Sequence, residues 1–228
     1  MGAALVRLLL KNDWHVIGVG RSEERMSAAV GNSHDGDAAF TMIECDLSKI
    51  EALRGLCAKV AELRDLHLLA NIAGVWHDAD RAFYGPKLAE TPGEELEEVM
   101  NVGLITPMLL SRAALPALER SSGAILNLSG TFASGGAGWA HYFVSKRGLE
   151  ELTRATADEY RNRGVRVVCI SPADTNTPAY AKFFPEDAAE AQSPDVVAAA
   201  SYALATDPTF ANVSGQIIEI RQNTPSGD

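Results

Sequence analysis

Tyr142 and Lys146 stand four residues apart in Tyr142-Phe143-Val144-Ser145-Lys146, a spacing that puts a phenol and an ammonium on one face of a helix. An ammonium beside a phenol favours the phenolate and lowers a pKa of about 10 toward the working range of an acid/base catalyst. Five tyrosines and six lysines give roughly 0.13 such pairs by chance in a chain of this length, so the pair needs support from its surroundings. Ser129 lies upstream of Tyr142, at the end of the apolar run Gly123 to Ser129, and Asn101 lies further upstream. Asn71-Ile72-Ala73-Gly74 follows another apolar run; its small residues would let a ligand approach the backbone, or make a simple tight turn.

These residues fall at the ends of elements that alternate along the chain. Short β-rich runs are expected at Trp14 to Gly20, Ala39 to Glu44, Leu66 to Ala70, Gly123 to Ser129, Val165 to Ile170 and Gln216 to Ile220. Helices are expected between them, beginning with the amphipathic Met1 to Lys11 and including Lys49 to about Leu63, capped by Ser48. A further helix is expected from an N-cap at Thr91 with Pro92 at its first position, running to about Arg120 and bent near Pro107. Another spans about His141 to Arg163, ended by Gly164. The run Val165 to Ile170 suits a strand buried on both faces of a parallel sheet. The expected architecture is therefore a single α/β domain over residues 1–228, a Rossmann-like doubly wound parallel sheet in three layers. In such a sheet a ligand lies beyond the carboxyl ends of the strands, where the residues above collect.

Composition narrows the classes of function. The chain has 228 residues, 46% apolar and 22% charged, enough for one core. A net charge of −10 repels phosphate backbones and anionic lipid surfaces, so neither nucleic acid nor membrane is expected as a partner. No stretch approaches eighteen consecutive apolar residues. Cys45, Cys57 and Cys169, odd in number and widely spaced, suit free thiols in a reducing, cytoplasmic compartment. The five histidines, at 15, 34, 67, 77 and 141, show no ligand spacing, so no metal is expected.

In this order and on these elements, the motifs make the chain resemble the short-chain dehydrogenase/reductase family over nearly its whole length. The family's N-x-A-G resembles Asn71, Ala73 and Gly74, and its catalytic asparagine, serine, tyrosine and lysine resemble Asn101, Ser129, Tyr142 and Lys146. The segment after its sixth strand resembles Pro172 to Thr177, with Thr175 and Thr177 as cofactor contacts. The resemblance implies hydride transfer between a nicotinamide cofactor and a small carbonyl or alcohol substrate. Tyr142 would move the hydroxyl proton, Ser129 would bond the substrate oxygen, Lys146 would hold the nicotinamide ribose and Asn101 would hold a water. Asp46 and Leu47 would meet the adenine. Arg21 follows the second β-rich position of the fold without a carboxylate there, which favours NADP, with NAD as the alternative; Arg21 as a solvated residue at a helix start is the plain alternative. A homodimer or homotetramer would form through the helices near 94 to 120 and 141 to 163.

The sequence departs from the family pattern at several places. The family opens with a strand and T-G-x-x-x-G-x-G, whereas Met1-Gly2 resembles only the last two positions, leaving Gly2 as the remaining phosphate contact. The expectation is a truncated form of a working enzyme that lacks the first, central strand and so exposes two sheet edges; a catalytically silent nucleotide-binding or structural protein is the alternative. Aligning the strand on Asn127 puts Gly130 where the serine is expected, with Thr131 as a second candidate hydroxyl. Ala173 replaces a glycine, and Arg221-Gln222-Asn223 stands where an Asp-Gly-Gly turn is usual. Trp76, His77, Phe83, Tyr84, Trp139, Phe183 and Phe184 would line a substrate pocket or simply pack on the surface.

Overall fold

Strands buried on both faces need apolar side chains at every position, and the two most apolar runs of the chain form the centre of the fold. The computed structural model describes residues 1–31, 39–132, 135–207 and 212–221; His34, Gln222 and Asn223 lie outside them. The elements are α1 (Gly2–Lys11), β1 (Val16–Gly20), α2 (Glu23–Val30), β2 (Phe40–Glu44), α3 (Ile50–Ala61) and β3 (Leu68–Asn71). They continue with α4 (Gly93–Met100), α5 (Thr106–Ser121), β4 (Ala124–Leu128), α6 (Ala140–Tyr160), β5 (Arg166–Pro172), α7 (Pro178–Phe183), α8 (Pro194–Thr206) and β6 (Ile217–Ile220). All strand pairs in these ladders are parallel, with Leu69 opposite Ile125, Leu126 opposite Val168 and Ile170 opposite Ile218.

The side chains of β4 and β5 alternate between two helical layers. Leu126, Leu128, Val168 and Ile170 pack with Ala4, Leu5 and Leu9 of α1 and with Val197 and Leu204 of α8. On the other face Ile125 and Val167 meet Ala114 and Leu118 of α5 and Ala157 of α6. This is the doubly wound, three-layer arrangement expected from the alternation of strands and helices.

The sheet is nevertheless in two pieces. β1 pairs with β2, and β3, β4, β5 and β6 form a second ladder. The interruption falls where a 3-2-1-4-5-6 order has its central strand. Side chains still bridge it, since Val19 and Leu69 share one apolar cluster and the Trp14 and His67 rings meet edge-on at 6.4 Å. Ile17 of β1 is left 48% exposed, an open flank of the kind expected for an unpaired edge.

Three local readings of the sequence need correction. Ser48 does not cap α3, because its N–H and hydroxyl both donate to Asp46 Oδ1, leaving Lys49 at the N-cap without a side-chain bond. Thr91 is not the cap of α4, which starts at Gly93 with Pro92 before it; the Thr91 hydroxyl donates to the Lys87 carbonyl instead. The irregularity expected near Pro107 is a single π turn at Asn101–Ile105, where the Thr106 N–H donates to the Asn101 carbonyl five residues back. Pro107 has no N–H for the Gly103 carbonyl, so the helix widens in the turn before the proline. The continuous helix 93–121 is long and apolar enough to cross a membrane, yet half of its apolar stretch is buried within the protein.

That helix presses on α6 through two glycines. A Cβ on Gly103 would come within 2.8 Å of Ser145 Oγ, and one on Gly148 within 2.9 Å of Leu104 Cδ2. A charge cluster built on the buried Glu95 holds the same junction. Glu95 of α4 is ion-paired with Arg81, and its Oε1 lies 3.3 Å from His141 Nε2 in the first turn of α6. Phe83 packs beside the His141 ring, with the Arg81 guanidinium 5.2 Å from the Phe83 centroid. Burial lowers the pKa of His141 and the nearby Arg81 charge lowers it further, outweighing the attraction of Glu95.

His141 is therefore neutral in the folded state at pH 7 and binds a proton more readily when unfolded. Stability should fall as pH drops below about 6.5, the ordinary histidine value, with a slope from this group of at most about 1.4 kcal/mol per pH unit. Urea denaturation between pH 7.5 and 5 checks this: a His141→Phe protein is expected to show a shallower loss than the unsubstituted chain over that window.

Candidate active site

The fold brings the ends of β1, β2, β3 and β4 toward the first two turns of α6. Lys146 is the central side chain. It is 1% exposed, and its Nζ donates a 2.7 Å hydrogen bond to the Leu128 carbonyl at the end of β4. Burial pulls its pKa down to about 8. Nζ lies 5.5 Å from the Tyr142 ring centroid, so the helical spacing does bring the phenol and ammonium together. Gly74 closes the third side: a Cβ there would lie 3.3 Å from Lys146 Nζ and 3.9 Å from Tyr142 Cε2.

The expected depression of the Tyr142 pKa does not appear. Burial raises the phenol above its ordinary value. The cause is desolvation of the phenol by burial; the nearby ammonium donates to the Leu128 carbonyl. In this arrangement Tyr142 holds its proton at neutral pH, the state of a proton donor.

Ser129 is committed elsewhere. It is 3% exposed, and its hydroxyl donates to Glu150 Oε1 at 2.6 Å. Glu150 follows Tyr142 by eight residues, roughly 12 Å along a helix, and its carboxylate also takes both bonds of a fork from Arg147. The expected role of Ser129 toward the substrate oxygen is thus opposed by its geometry. Alignment on Asn127 puts Gly130, which has no hydroxyl, at that place. Thr131 is half-buried at the same strand end, and its Oγ1 makes only a long 3.3 Å bond to the Pro172 carbonyl.

Asn71 and Asn101 also have defined partners. Asn71 Nδ2 donates to Asn127 Oδ1 at 2.8 Å, and Asn127 Nδ2 donates to Thr153 Oγ1 at 2.9 Å. This buried amide chain ties β3, β4 and α6 together, so the Asn71 side chain serves the fold. Asn101 opens the π turn, with its Nδ2 3.4 Å from the Ser48 carbonyl, and Thr106 Oγ1 donates to the Leu47 carbonyl. Both bonds fasten the helix to the loop after β2.

Five of the expected cofactor contacts, Arg21, Asp46, Leu47, Ala73 and Gly74, meet in one cleft of about 180 Å³, which Gly20 also lines. Hydrogen bonds from the Ser48 hydroxyl and N–H, with the nearby Lys49 and Arg21 charges, hold the Asp46 carboxyl below its ordinary pKa despite partial burial. A Cβ at Gly20 would come within 2.7 Å of Met26 Sδ, so a larger residue at this strand end would require the Met26 side chain to shift. The chemistry fits a dinucleotide: small residues for close approach, a cation, a carboxylate and an apolar side chain. Gly2 is not in the cleft's lining; its nearest neighbour is Ile72 Cγ2, 3.6 Å from an added Cβ.

The segment after β5 is held from inside. The Ala173 N–H donates to the Ile220 carbonyl, Thr175 Oγ1 donates to the Ala173 carbonyl, and Thr177 Oγ1 accepts from the Tyr180 N–H to cap α7. Gln192 was not singled out from the sequence, yet it is buried and its Nε2 donates to both the Ala173 and Ile220 carbonyls. The Arg81, Glu95 and His141 cluster was also missed, since no short spacing joins residues 14 and 46 positions apart. Arg221 pairs with Glu219. No group of three or more metal-ligating side chains occurs among the described residues.

Comparison with known proteins bears on the family and the fold. A 3beta-hydroxysteroid dehydrogenase from Mediterraneibacter gnavus is 28% identical over 180 residues, 78% of this chain and 63% of that protein. A 3-oxoacyl-[acyl-carrier-protein] reductase from Rickettsia bellii is 29% identical over 174 residues, 75% of this chain and 67% of that one. The chain thus spans about two thirds of the length of these relatives. Among solved structures, a short chain dehydrogenase/reductase family protein superimposes with a TM-score of 0.80 at 23% identity, covering 96% of this chain and 90% of the other. A citronellol catabolism dehydrogenase from Pseudomonas aeruginosa PAO1 gives 0.74 at 28% identity over the same shares. The family described as short chain dehydrogenase matches residues 1–188, and the chain belongs to it.

Proposed function

We propose that this protein is an oxidoreductase that transfers a hydride between NADP and a small carbonyl or alcohol substrate. The observation that carries the reading is the buried Lys146 ammonium, enclosed by Leu128, Tyr142 and Gly74 beside a cleft that contains Arg21 and Asp46. Arg21, Asp46, Leu47, Ala73 and Gly74 would hold the nucleotide end of the cofactor, with Gly2, Asn71 and the stretch Pro172, Thr175 and Thr177 as further contacts implied by the family. Bound nicotinamide supplies or takes up the hydride.

The chain's own residues handle the proton. In reduction, Tyr142 Oη gives its proton to the carbonyl oxygen as negative charge develops there, and its raised pKa keeps that proton available at neutral pH. Lys146, with a pKa of about 8, holds the cofactor ribose and can exchange a proton near the same pH. Asn101, at the π turn, would hold a water in the relay. With Ser129 sealed against Glu150, Thr131 is the hydroxyl left to bond the substrate oxygen.

Arg21 at the end of β1 supports NADP, through a guanidinium suited to a 2′-phosphate. A gluconate 5-dehydrogenase-like chain from Beutenbergia cavernae, 24% identical, was solved with NADP at low occupancy. Exposed Met108 on α5 and Val144 on α6 support pairing of subunits through those helices. Three free thiols support a cytoplasmic location. A second reading, a silent nucleotide-binding protein, draws on the sealed Ser129 hydroxyl and the interrupted sheet.

Tyr142→Phe is expected to lower kcat by about a thousandfold while NADPH still raises the melting temperature; wild-type turnover in that variant would sink the proton-donor role. Thr131→Val should cost at least about tenfold in kcat and Ser129→Ala less than about threefold, as measured by NADPH oxidation; the reverse order would restore Ser129. Arg21→Glu should weaken NADPH at least about tenfold with NADH nearly unchanged, read by nicotinamide fluorescence titration. NADPH binding with no turnover on any carbonyl or alcohol would favour the silent reading.

A further inference from the structure

Proton transfer requires one phenol, yet Tyr142 stands in a larger group of rings drawn from three separate loops. Trp76 follows β3, Trp139 precedes α6 and Phe184 follows α7. Their centroids form a triangle of nearly equal sides: 6.4 Å from Trp76 to Trp139, 6.0 Å from Trp76 to Phe184 and 6.3 Å from Trp139 to Phe184. Trp139 also lies 5.9 Å from the Tyr142 ring. All three rings are only partly buried, so the triangle is an apolar surface beside the phenol.

The triangle is braced from outside. Tyr84 stacks on Trp139 at 5.1 Å and 30°, and the absence of a Cβ at Gly138 makes room for it, since a Cβ would come within 2.9 Å of the Tyr84 ring. Phe183 supports Trp76 edge-on at 6.0 Å. Lys182 lies over Phe183 and donates to the Ala79 carbonyl, and Lys146 lies over Tyr142. The three rings themselves offer two indole N–H donors, and the His77 ring beside Trp76, at 4.5 Å, has its Nδ1 engaged with the Asp78 carbonyl.

We infer that the carbonyl compound handled here carries a flat apolar ring system next to the carbonyl carbon, seated on Trp76, Trp139 and Phe184. This rests on the oxidoreductase reading above. A planar hydrocarbon face offers rings the offset and edge contacts they favour. A polyhydroxylated substrate would surrender water from each hydroxyl and find two donors in return, a loss that rejects it.

The test uses the full chain and two probes, 2-acetylnaphthalene and D-glyceraldehyde, with binding measured by calorimetry in the presence of NADPH and turnover measured separately by NADPH oxidation. 2-Acetylnaphthalene is expected to bind at least tenfold more tightly than D-glyceraldehyde. Trp76→Ala, and independently Phe184→Leu, should weaken 2-acetylnaphthalene at least tenfold and leave the Kd for NADPH within twofold. Equal or tighter binding of D-glyceraldehyde, or wild-type affinity for 2-acetylnaphthalene in both variants, would overturn the inference. Turnover of D-glyceraldehyde with no naphthyl binding overturns the ring preference and leaves the oxidoreductase reading standing. Saturable naphthyl binding with no oxidation of NADPH by either probe overturns the oxidoreductase reading and retains the ring site.

Discussion

A lysine ammonium removed from water is the constraint around which the site is built. Burying an unpaired charge is costly unless hydrogen bonds replace its hydration, and Lys146 is almost wholly enclosed. Its acceptor is the Leu128 carbonyl. Leu128 is the last residue of β4, where the chain leaves the ladder, so a carbonyl at that end is free to accept from a side chain. A Cβ at Gly74 would lie 3.3 Å from the ammonium nitrogen, so a side chain there would require Lys146 to give by a few tenths of an ångström. Once the ammonium is held, Tyr142 follows, one helical turn away on the same face. The lowered pKa of Lys146 and the raised pKa of Tyr142 have one cause, since desolvation disfavours the charged form of each.

Part of the α6 face that meets the sheet is polar for a related reason. Asn71, Asn127 and Thr153 join β3, β4 and α6 in one chain of hydrogen bonds, and Ser129 joins β4 to Glu150, which Arg147 neutralises. Apolar packing tolerates a helix sliding by part of a turn, whereas a satisfied buried network does not. These bonds fix the axial position of α6, and Tyr142 sits at its beginning. A serine at a strand end can therefore matter to the reaction without touching a substrate, by holding the helix that presents the phenol.

The strands and helices were legible because their signals are local. The β-branched run of β5, the alternating apolar faces of β4 and the amphipathic α1 each report their surroundings through periodicity. The Tyr142 and Lys146 pair was legible for the same reason, being one helical turn. What escaped depends on residues that meet only after folding. Ser48 reads as a cap, but Asp46 captures both of its donors. Ser129 reads as a free hydroxyl, but Glu150, 21 residues later, takes it. The π turn at Asn101 is coupled to Pro107 and to the fit of Gly103 against Ser145, a contact across 42 positions that no window of sequence contains.

The cluster of buried Glu95 and His141 with half-exposed Arg81 links these levels. Glu95 grips Arg81 in the loop that follows Trp76 and also faces His141, the residue before Tyr142. That loop carries Trp76 and Tyr84, and Tyr84 stacks on Trp139, which forms the N-terminal boundary of α6. The aromatic surface and the phenol are thus fastened to the same carboxylate. A shift of the loop relative to α4 would move the rings and the turn that holds Tyr142 together, because the buried Glu95 carboxylate would lose its half-exposed Arg81 partner. Recognition of the substrate body and placement of the proton are then one mechanical unit, and the interruption between β1 and β3 lies on the nucleotide side of it.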